Sequence, residues 1–533
     1  MKKILRAFSL FYVLILFALI SNIYAQNTGV QTYLNPIQPQ DHPDQTLMRV
    51  GNDFYCTGSS FHYNPWVPIY HSTDLVHWEI IARVVPSSWS VNSDATSNGI
   101  WQGALAQFGG KFWVYYSNTA GGGQYFSSAT SMAGPWSAPT KVTGSTVTGY
   151  DNSIFVDEDG TPYMIMKNGQ SVNRMQQINT TTGQLTGSLM NMDWVNANNI
   201  YSWAEGPVMC KRNGRYYMFV AGNVTGGQYV LSSAKLSATE SDWTRHGSFW
   251  PNAASPGGFT GPNHVSQPIQ LDDGTWWCIS HAYDNSGWYA QGRQCLLHKV
   301  NWDANGVPKG DPPSTNPVAA PNLSNPGKIQ MNLPREDYFS STTINLNWCF
   351  FNKANATKYS LSANPGYMRL TPGTGTTHVL QKEGGHFYTL ITKVTVSATS
   401  TGQQAGLRIM NGKDDLFATL YAGNNGGAKI GFAYNGTATE VTNTIGNTVW
   451  LKLDRENHSI KGYYSADGKT WTQVGGTIDV SNLDKYSTNY NEWVGNAIAL
   501  YATNVTADFD LFKYRDGFSA LKIAGMNNKY GVT

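Results

Sequence analysis

Gly109-Gly110-Lys111-Phe112-Trp113-Val114 sets two glycines in front of an aromatic, β-favouring run, and the same arrangement returns four more times. The other copies are Gly51-Asn52-Asp53-Phe54-Tyr55-Cys56, Asp159-Gly160-Thr161-Pro162-Tyr163-Met164, Asn213-Gly214-Arg215-Tyr216-Tyr217-Met218 and Asp273-Gly274-Thr275-Trp276-Trp277-Cys278. Glycine takes positive φ freely, so Asn-Gly, Asp-Gly and Gly-Gly make tight hairpin turns. Several copies are followed by a second strand-like run, as in Ile69-Tyr70-His71-Ser72 and Tyr229-Val230-Leu231-Ser232-Ser233. The copies stand roughly 50 to 60 residues apart, which leaves room for about four strands each, the size of one propeller blade. Five such units between about residue 31 and residue 307 predict an all-β five-bladed propeller, with an array of β-sandwiches as the alternative. In a propeller, residues far apart in sequence but equivalent in their blades meet at the central axis. Chemistry is therefore sought one residue per blade.

Composition agrees with stacked short strands. The 533 residues are 13% charged and 13% aromatic, with 18 Trp, 30 Tyr, 21 Phe and 54 Gly. The charged share is about half of the ~25% usual in soluble proteins. Phosphate neutralisation needs clustered Lys and Arg, so a nucleic-acid partner is excluded. A chain this aromatic is not disordered. Aromatic faces stack on the apolar C–H surfaces of sugar rings, a first hint of a carbohydrate partner.

Residues 1–25 carry Lys2, Lys3 and Arg6, then an apolar run from Phe8 to Ile20, then Asn22-Ile23-Tyr24-Ala25. They read as a cleaved secretory signal, which predicts a periplasmic or extracellular protein; a retained anchor is the alternative. Without that segment 33 basic side chains remain against 34 acidic ones, so the mature chain is close to neutral and expected to have no membrane span. The five cysteines (Cys56, Cys210, Cys278, Cys295, Cys349) are scattered and odd in number. They make no disulfide framework and read as small buried hydrophobes, although a Cys278–Cys295 bridge stays open.

The propeller is expected over 26–307. Residues 308–334 hold seven prolines among Asn, Ser and Gly and read as an extended linker without a core of its own. From Arg335 to Asp516 short strands resume with turns at Asn435-Gly436 and Asp467-Gly468, the pattern of an antiparallel sandwich. Residues 517–533 read as a peripheral tail.

With 34 acids in the chain, a carboxylate beside an aromatic or turn element is informative, and three stand out in three different blades. Asp44 follows His42-Pro43, Asp151 lies in Gly149-Tyr150-Asp151-Asn152, and Glu205 lies in Trp203-Ala204-Glu205-Gly206-Pro207. Glycosidic cleavage needs one protonated carboxyl group to release the leaving oxygen and one ionised carboxylate to activate water. A third acid nearby can raise the first one's pKa by like-charge repulsion. Asp157, Asp159, Asp272 and Asp273 read as turn formers.

At these residues the sequence resembles glycoside hydrolase family 43. The likeness rests on His42-Pro43-Asp44, Arg49-Val50-Gly51-Asn52-Asp53-Phe54-Tyr55, Ser59-Ser60-Phe61, the run Val67–Trp78, Gly292-Arg293-Gln294 and Val300-Asn301-Trp302-Asp303. In the second half it rests on Glu336-Asp337-Tyr338-Phe339, Pro365–Leu370 and Asp508-Phe509-Asp510-Leu511-Phe512. The resemblance implies a five-bladed propeller followed by a concanavalin A-like, β-xylosidase-type sandwich. It implies that Asp44 is the general base, Asp151 the pKa-modulating and positioning acid, Glu205 the general acid and Arg293 a substrate-binding residue. It implies an inverting exo-glycosidase releasing terminal β-xylosyl or α-L-arabinofuranosyl groups from plant cell-wall oligo- or polysaccharides. The choice between the two sugars stays open, and a non-catalytic glycan-binding propeller is the rival reading.

The chain departs from that family's pattern. Gln45-Thr46 follows the base where Pro and Ser are usual, Val208 follows Glu-Gly-Pro where His is usual, and Trp101-Gln102-Gly103 stands for Trp-Ala-Pro. His264, in Gly261-Pro262-Asn263-His264, takes the place of an axial histidine near a water-held calcium; a hydrogen-bonded structural histidine is the equal alternative. No cofactor is expected for the chemistry. A structural Ca²⁺ at Glu336 and Asp510 is weighed against a solvated surface pair, the simpler reading. Phe61, Trp66, Trp101 and Trp203 are candidates to stack on sugar, or else to pack between blades.

Overall fold

The computed structural model describes residues 32–516 apart from 94–95, 97, 146–148, 170–171, 200–202, 223–226, 252–257, 285–287, 324–334, 374 and 486–492. The expected export signal and the C-terminal tail therefore lie outside the described residues. Among those described, no helix is long and apolar enough to cross a membrane.

Four four-stranded antiparallel sheets follow one another along the chain, and a fifth closes the ring. From the inner strand outward, blade 1 is Thr46–Val50, Asp53–Thr57, Trp66–Ser72 and Glu79–Val85. The inner strands of blades 2, 3 and 4 are Ile100–Phe108, Tyr150–Val156 and Glu205–Arg212. Blade 5 runs from Phe259–Asn263 through Trp276–Asp284 and Gln294–Trp302, and its outer place is taken by Gln38–Asp41 from the start of the propeller. That exchange fastens the ring non-covalently and leads the chain straight from Asp41 through Asp44 to the inner strand of blade 1.

The turns work as their sequences require. Gly109-Gly110 and Asn213-Gly214 have positive φ at both positions and join Phe108 to Lys111 and Arg212 to Arg215. Five apolar clusters fill the five interfaces between neighbouring blades. Leu105, Val114 and Trp66 belong to the cluster between blades 1 and 2, and Met209, Met218 and Met175 to that between blades 3 and 4. Trp66 is fully buried and so packs between blades. All five cysteines are free and buried, which closes the question of a Cys278–Cys295 bridge.

Residues 308–323 are extended but not a free tether. Pro308–Gly310 pairs with Gln294–Trp302, Val318–Ala319 pairs with Thr32–Tyr33, and Val318 and Leu323 pack on the cluster between blades 5 and 1. The prolines fit because these strands lie at sheet edges.

The second domain stacks a seven-stranded on a six-stranded antiparallel sheet. Thr448–Glu456 alternates inward Val449, Leu451 and Leu453 with outward neighbours, and the inward row ends on Arg455. Arg455 is fully buried between Glu383 (2.6 Å) and Asp484. Glu336 and Asp510 pair with Arg515 (3.2 Å) and Lys393 (2.7 Å), so both acids are answered by cations.

The two domains are stitched together along one face. Asn64 and Phe350 exchange backbone hydrogen bonds of 3.0 and 2.6 Å, the Lys382 ammonium donates to the Asp41 carbonyl at 2.7 Å, and Asn496 N–H donates to the Ala290 carbonyl at 2.7 Å. Phe61 and Tyr63 of the propeller share an apolar cluster with Cys349, Leu380, Met410 and Val494 of the sandwich.

Candidate active site

A repeated backbone irregularity aims side chains at one end of the axis. The inner strands of blades 2 to 5 shift register between Trp101 and Ala104, Tyr150 and Ser153, Glu205 and Val208, and Thr260 and Asn263. At or beside these shifts φ turns positive: 28° at Gln102, 49° at Asp151, 50° at Gly206 and 49° at His264, with 58° at Asp44 just before the inner strand of blade 1. A bulge of this kind bends the strand and re-aims its side chains. Left-handed backbone at non-glycine residues is strained, and such strain persists only where the surroundings enforce it.

Asp44 is buried, and donors or cations surround its oxygens. Arg293 Nη1 lies 2.9 Å from Oδ1 and Ser59 Oγ donates to Oδ2 at 2.5 Å. His264 Nδ1 stands 3.3 Å from Oδ1. The Asp44 N–H donates to His281 Nδ1 at 2.9 Å, so that nitrogen carries no proton. Burial, then the Arg293 guanidinium and the neighbouring His264 and His42 imidazoles, push His281 well below the usual histidine range and keep it neutral. Arg293 is itself fixed: its N–H bonds Asp41 at 3.1 Å, and its guanidinium donates to the Trp493 carbonyl at 3.2 Å.

Asp151, Glu205 and His264 bring carboxylate oxygens and an imidazole nitrogen within 4.8 Å of one another. Burial pushes the Asp151 carboxyl up to about 7. His264 acts against that rise, the negative charges of Glu205 and Asp44 add to it, and the Gly206 N–H, 3.1 Å from Oδ2, holds it back. A proton is thus held beside Glu205 near neutral pH. The Tyr150 phenol hydrogen-bonds Glu205 and is itself pushed up by burial and by the two acids. Gly206 is required here for two reasons, its φ of 50° and a Cβ that would stand 2.7 Å from His264 Nδ1. Calcium takes about six to eight oxygen ligands. Two carboxylates and an imidazole match that demand poorly.

The aromatic wall comes from both domains. Trp101 stacks on Trp493 of the sandwich at 5.7 Å, lies 5.9 Å from Phe61 and meets Tyr150 edge-on at 5.6 Å. The Arg293 guanidinium sits 5.6 Å from the Phe61 ring and 5.7 Å from that of Trp493. Phe61 is 1% exposed and supports this wall from behind, whereas Trp203, two residues before Glu205, is 38% exposed. Lys167, fully buried on blade 3 and paired in register with Tyr150, adds a cation whose charge acts on Glu205 and Asp151.

The structure thus brings together Asp44, Asp151, Glu205, His264 and Arg293 from four blades. Sequence reasoning missed His281, Tyr150, Lys167 and Trp493 as members of the site. Tyr150 adjoins Asp151 and could have been found by asking what flanks each acid; Trp493 carries no such signal, being in the other domain.

Comparisons with known proteins agree with this construction. The sequence pattern of glycosyl hydrolases family 43 matches residues 33–308, and that of the β-xylosidase C-terminal concanavalin A-like domain matches residues 336–515. The chain is 29% identical over 423 residues to a non-reducing end α-L-arabinofuranosidase of Bacteroides ovatus, covering 74% of this chain and 77% of that protein. It is 25% identical over 543 residues to a xylan 1,3-β-xylosidase of a Vibrio species, covering 91% and 99%. Among solved structures, a family 43 protein of Bacillus licheniformis superposes with a TM-score of 0.81 at 25% identity, over 91% of this chain and 100% of that one. The match runs through the whole propeller and on through the sandwich, and the chain belongs to glycosyl hydrolases family 43 and is a glycoside hydrolase.

Proposed function

We propose that the chain is an exported, inverting exo-glycosidase that removes terminal β-xylosyl or α-L-arabinofuranosyl residues from xylan-derived oligosaccharides. The observation that carries this reading is the meeting of one donor-ringed carboxylate, Asp44, with Glu205 and the proton-holding Asp151 beside it at one end of the propeller. Asp44 takes the proton of a water on one face of the sugar ring while Glu205 gives its proton to the leaving oxygen on the other. Asp151 keeps a proton beside Glu205, and Arg293 fixes the orientation of Asp44. The sandwich sets Trp493 against Trp101 at the rim, which favours chain ends over the interior of a polymer. The names of the relatives from Bacteroides ovatus and Vibrio support the pentosyl class. Export is supported by the basic, apolar and short-residue sections of residues 1–25.

The test follows fresh product by proton NMR with nitrophenyl β-xyloside and nitrophenyl α-L-arabinofuranoside. Inversion releases α-xylose first from the β-xyloside. Initial release of β-xylose refutes inversion, and no release from either glycoside or from arabinoxylan fragments refutes the substrate class.

A further inference from the structure

Blade 2 carries, at the register shift of its inner strand, a buried amide that the acid–base chemistry does not use. Gln102 in blade 2 shares with Asp44, Asp151 and His264 of blades 1, 3 and 5 a positive φ at or beside an inner strand. Those three side chains converge, as the separations around Asp44 and Asp151 show. Gln102 lies between Trp101, part of the aromatic wall, and Gly103. Its N–H donates at 2.8 Å to Ser59 Oγ, the same hydroxyl that donates to Asp44, so its backbone is tied to the base.

The side chain is 2% exposed, and its Oε1 is buried without a hydrogen-bond partner among the described residues. Leaving such an acceptor unmade is costly, and a buried amide is kept where something else completes it. Strain at a φ of 28° beside an orphaned carbonyl serves the fold poorly on two counts. Trp101 next to it in the chain has a buried Nε1 that also lacks a partner among the described residues, so consecutive residues beside the aromatic wall carry an unmade acceptor and an unmade donor. That pairing suits a sugar hydroxyl, which both donates and accepts.

We propose that Gln102 is a specificity-determining residue whose amide hydrogen-bonds a hydroxyl of the terminal pentose. The proposal rests on the pentosidase reading above. A six-membered xylosyl ring and a five-membered arabinofuranosyl ring carry their hydroxyls at different places, so one fixed amide serves them unequally. A site built to bond a hydroxyl discriminates through the cost of leaving its own buried groups unpaired.

The test uses Gln102→Met, which keeps the volume and removes the amide, and Gln102→Asn, which keeps the amide on a shorter arm. Gln102→Met is expected to lower kcat/KM by about tenfold on the preferred nitrophenyl pentoside and by at least a few-fold less on the other. It is also expected to melt no lower than the wild type without sugar, because the orphaned carbonyl is gone. Gln102→Asn is expected to recover part of the loss. An unchanged ratio between the two pentosides, or a lower melting temperature with equal losses on both, overturns the proposal and makes Gln102 structural.

Binding separates this from a failure of the pentosidase reading. Xylobiose and arabinose-capped xylobiose are titrated calorimetrically into Glu205→Gln, with and without Gln102→Met. If Glu205→Gln alone binds neither sugar, the substrate class is wrong and the proposal falls with it. If it binds and the Gln102→Met addition changes neither affinity, the substrate class stands and the proposal alone is overturned.

Discussion

Asp151→Asn should cut activity and yet make the protein more stable in alkali. In the folded chain the Asp151 carboxyl is moved from its ordinary 3.8 to about 7, burial being the largest cause. Below the lower value the group is protonated whether the chain is folded or not, and no penalty exists. As pH rises, the unfolded chain ionises first, so stability falls progressively up to the folded value and stays low beyond it. A displacement of this size corresponds to about 4 kcal/mol above pH 7, an upper figure for a group in a polar site. Between pH 5 and pH 8 the wild type should lose about 2.5–3 kcal/mol relative to the variant. Asparagine cannot ionise, and its carbonyl can still accept the Gly206 N–H, so the variant lacks this slope. Melting curves of both proteins at pH 5 and pH 8 give the difference, expected as an extra gain of about 3–5 °C for the variant at pH 8. Parallel curves, with the same gap between the proteins at both pH values, would refute the idea that Asp151 stores a proton against its fold. Activity assays on the same samples should show the opposite ranking.

Three further outcomes follow from the same geometry. Glu205→Gln is expected to lose about 10²–10⁴-fold in turnover on xylo-oligosaccharides, and much less on a dinitrophenyl glycoside whose leaving group needs no proton; steady-state kinetics on both decide it. Gly206→Ala places a methyl 2.7 Å from His264 Nδ1 at a φ of 50°, so a lower melting temperature and a loss of activity of at least about tenfold should appear together. Arg455→Ala leaves Glu383 and Asp484 buried without their shared cation and should destabilise the sandwich by about 3–5 kcal/mol, read by calorimetry.

The sequence displayed whatever is local and repeated. Asn213-Gly214 before Arg215-Tyr216-Tyr217 is a hairpin in any context, because the turn needs positive φ and the following residues favour strands. Five such hairpins at even spacing gave the propeller, and the scarcity of acids let Asp44, Asp151 and Glu205 stand out from turn residues such as Asp157, which here pairs with Lys211 at 2.8 Å. Stacking roles were less legible. Phe61, Trp66, Trp101 and Trp203 look alike in sequence, yet Trp66 is sealed between blades and Trp203 is 38% exposed, since burial depends on neighbours from other blades. Residues 308–323 read as an extended linker without a core of its own, and what the sequence left out is where it docks: proline disfavours central strands but tolerates edges, and the segment pairs with edge strands of the propeller.

What sequence could not show at all is the dependence of Asp44, the proposed base, on the second domain. Arg293, 2.9 Å from Asp44, is reached by the chain through Tyr289 and Ala290, and both are bonded to the sandwich: the Tyr289 N–H to the Asp484 carbonyl at 2.9 Å, the Ala290 carbonyl to the Asn496 N–H at 2.7 Å. Asp484 in turn holds Arg455, the charged end of the sandwich's inward row. Trp288 lies over the same guanidinium at 5.3 Å and packs on the rings of His386 at 3.9 Å and His458 at 4.5 Å. A buried ion pair is weak evidence for stability but is expensive to break on one side. Here its position gives it a second consequence, because any shift of Asp484 is passed through three residues of backbone to the cation that orients Asp44. On the roles proposed for Asp44 and Arg293 the sandwich belongs to the catalytic frame, and loosening it should reach turnover before it reaches the fold of the propeller.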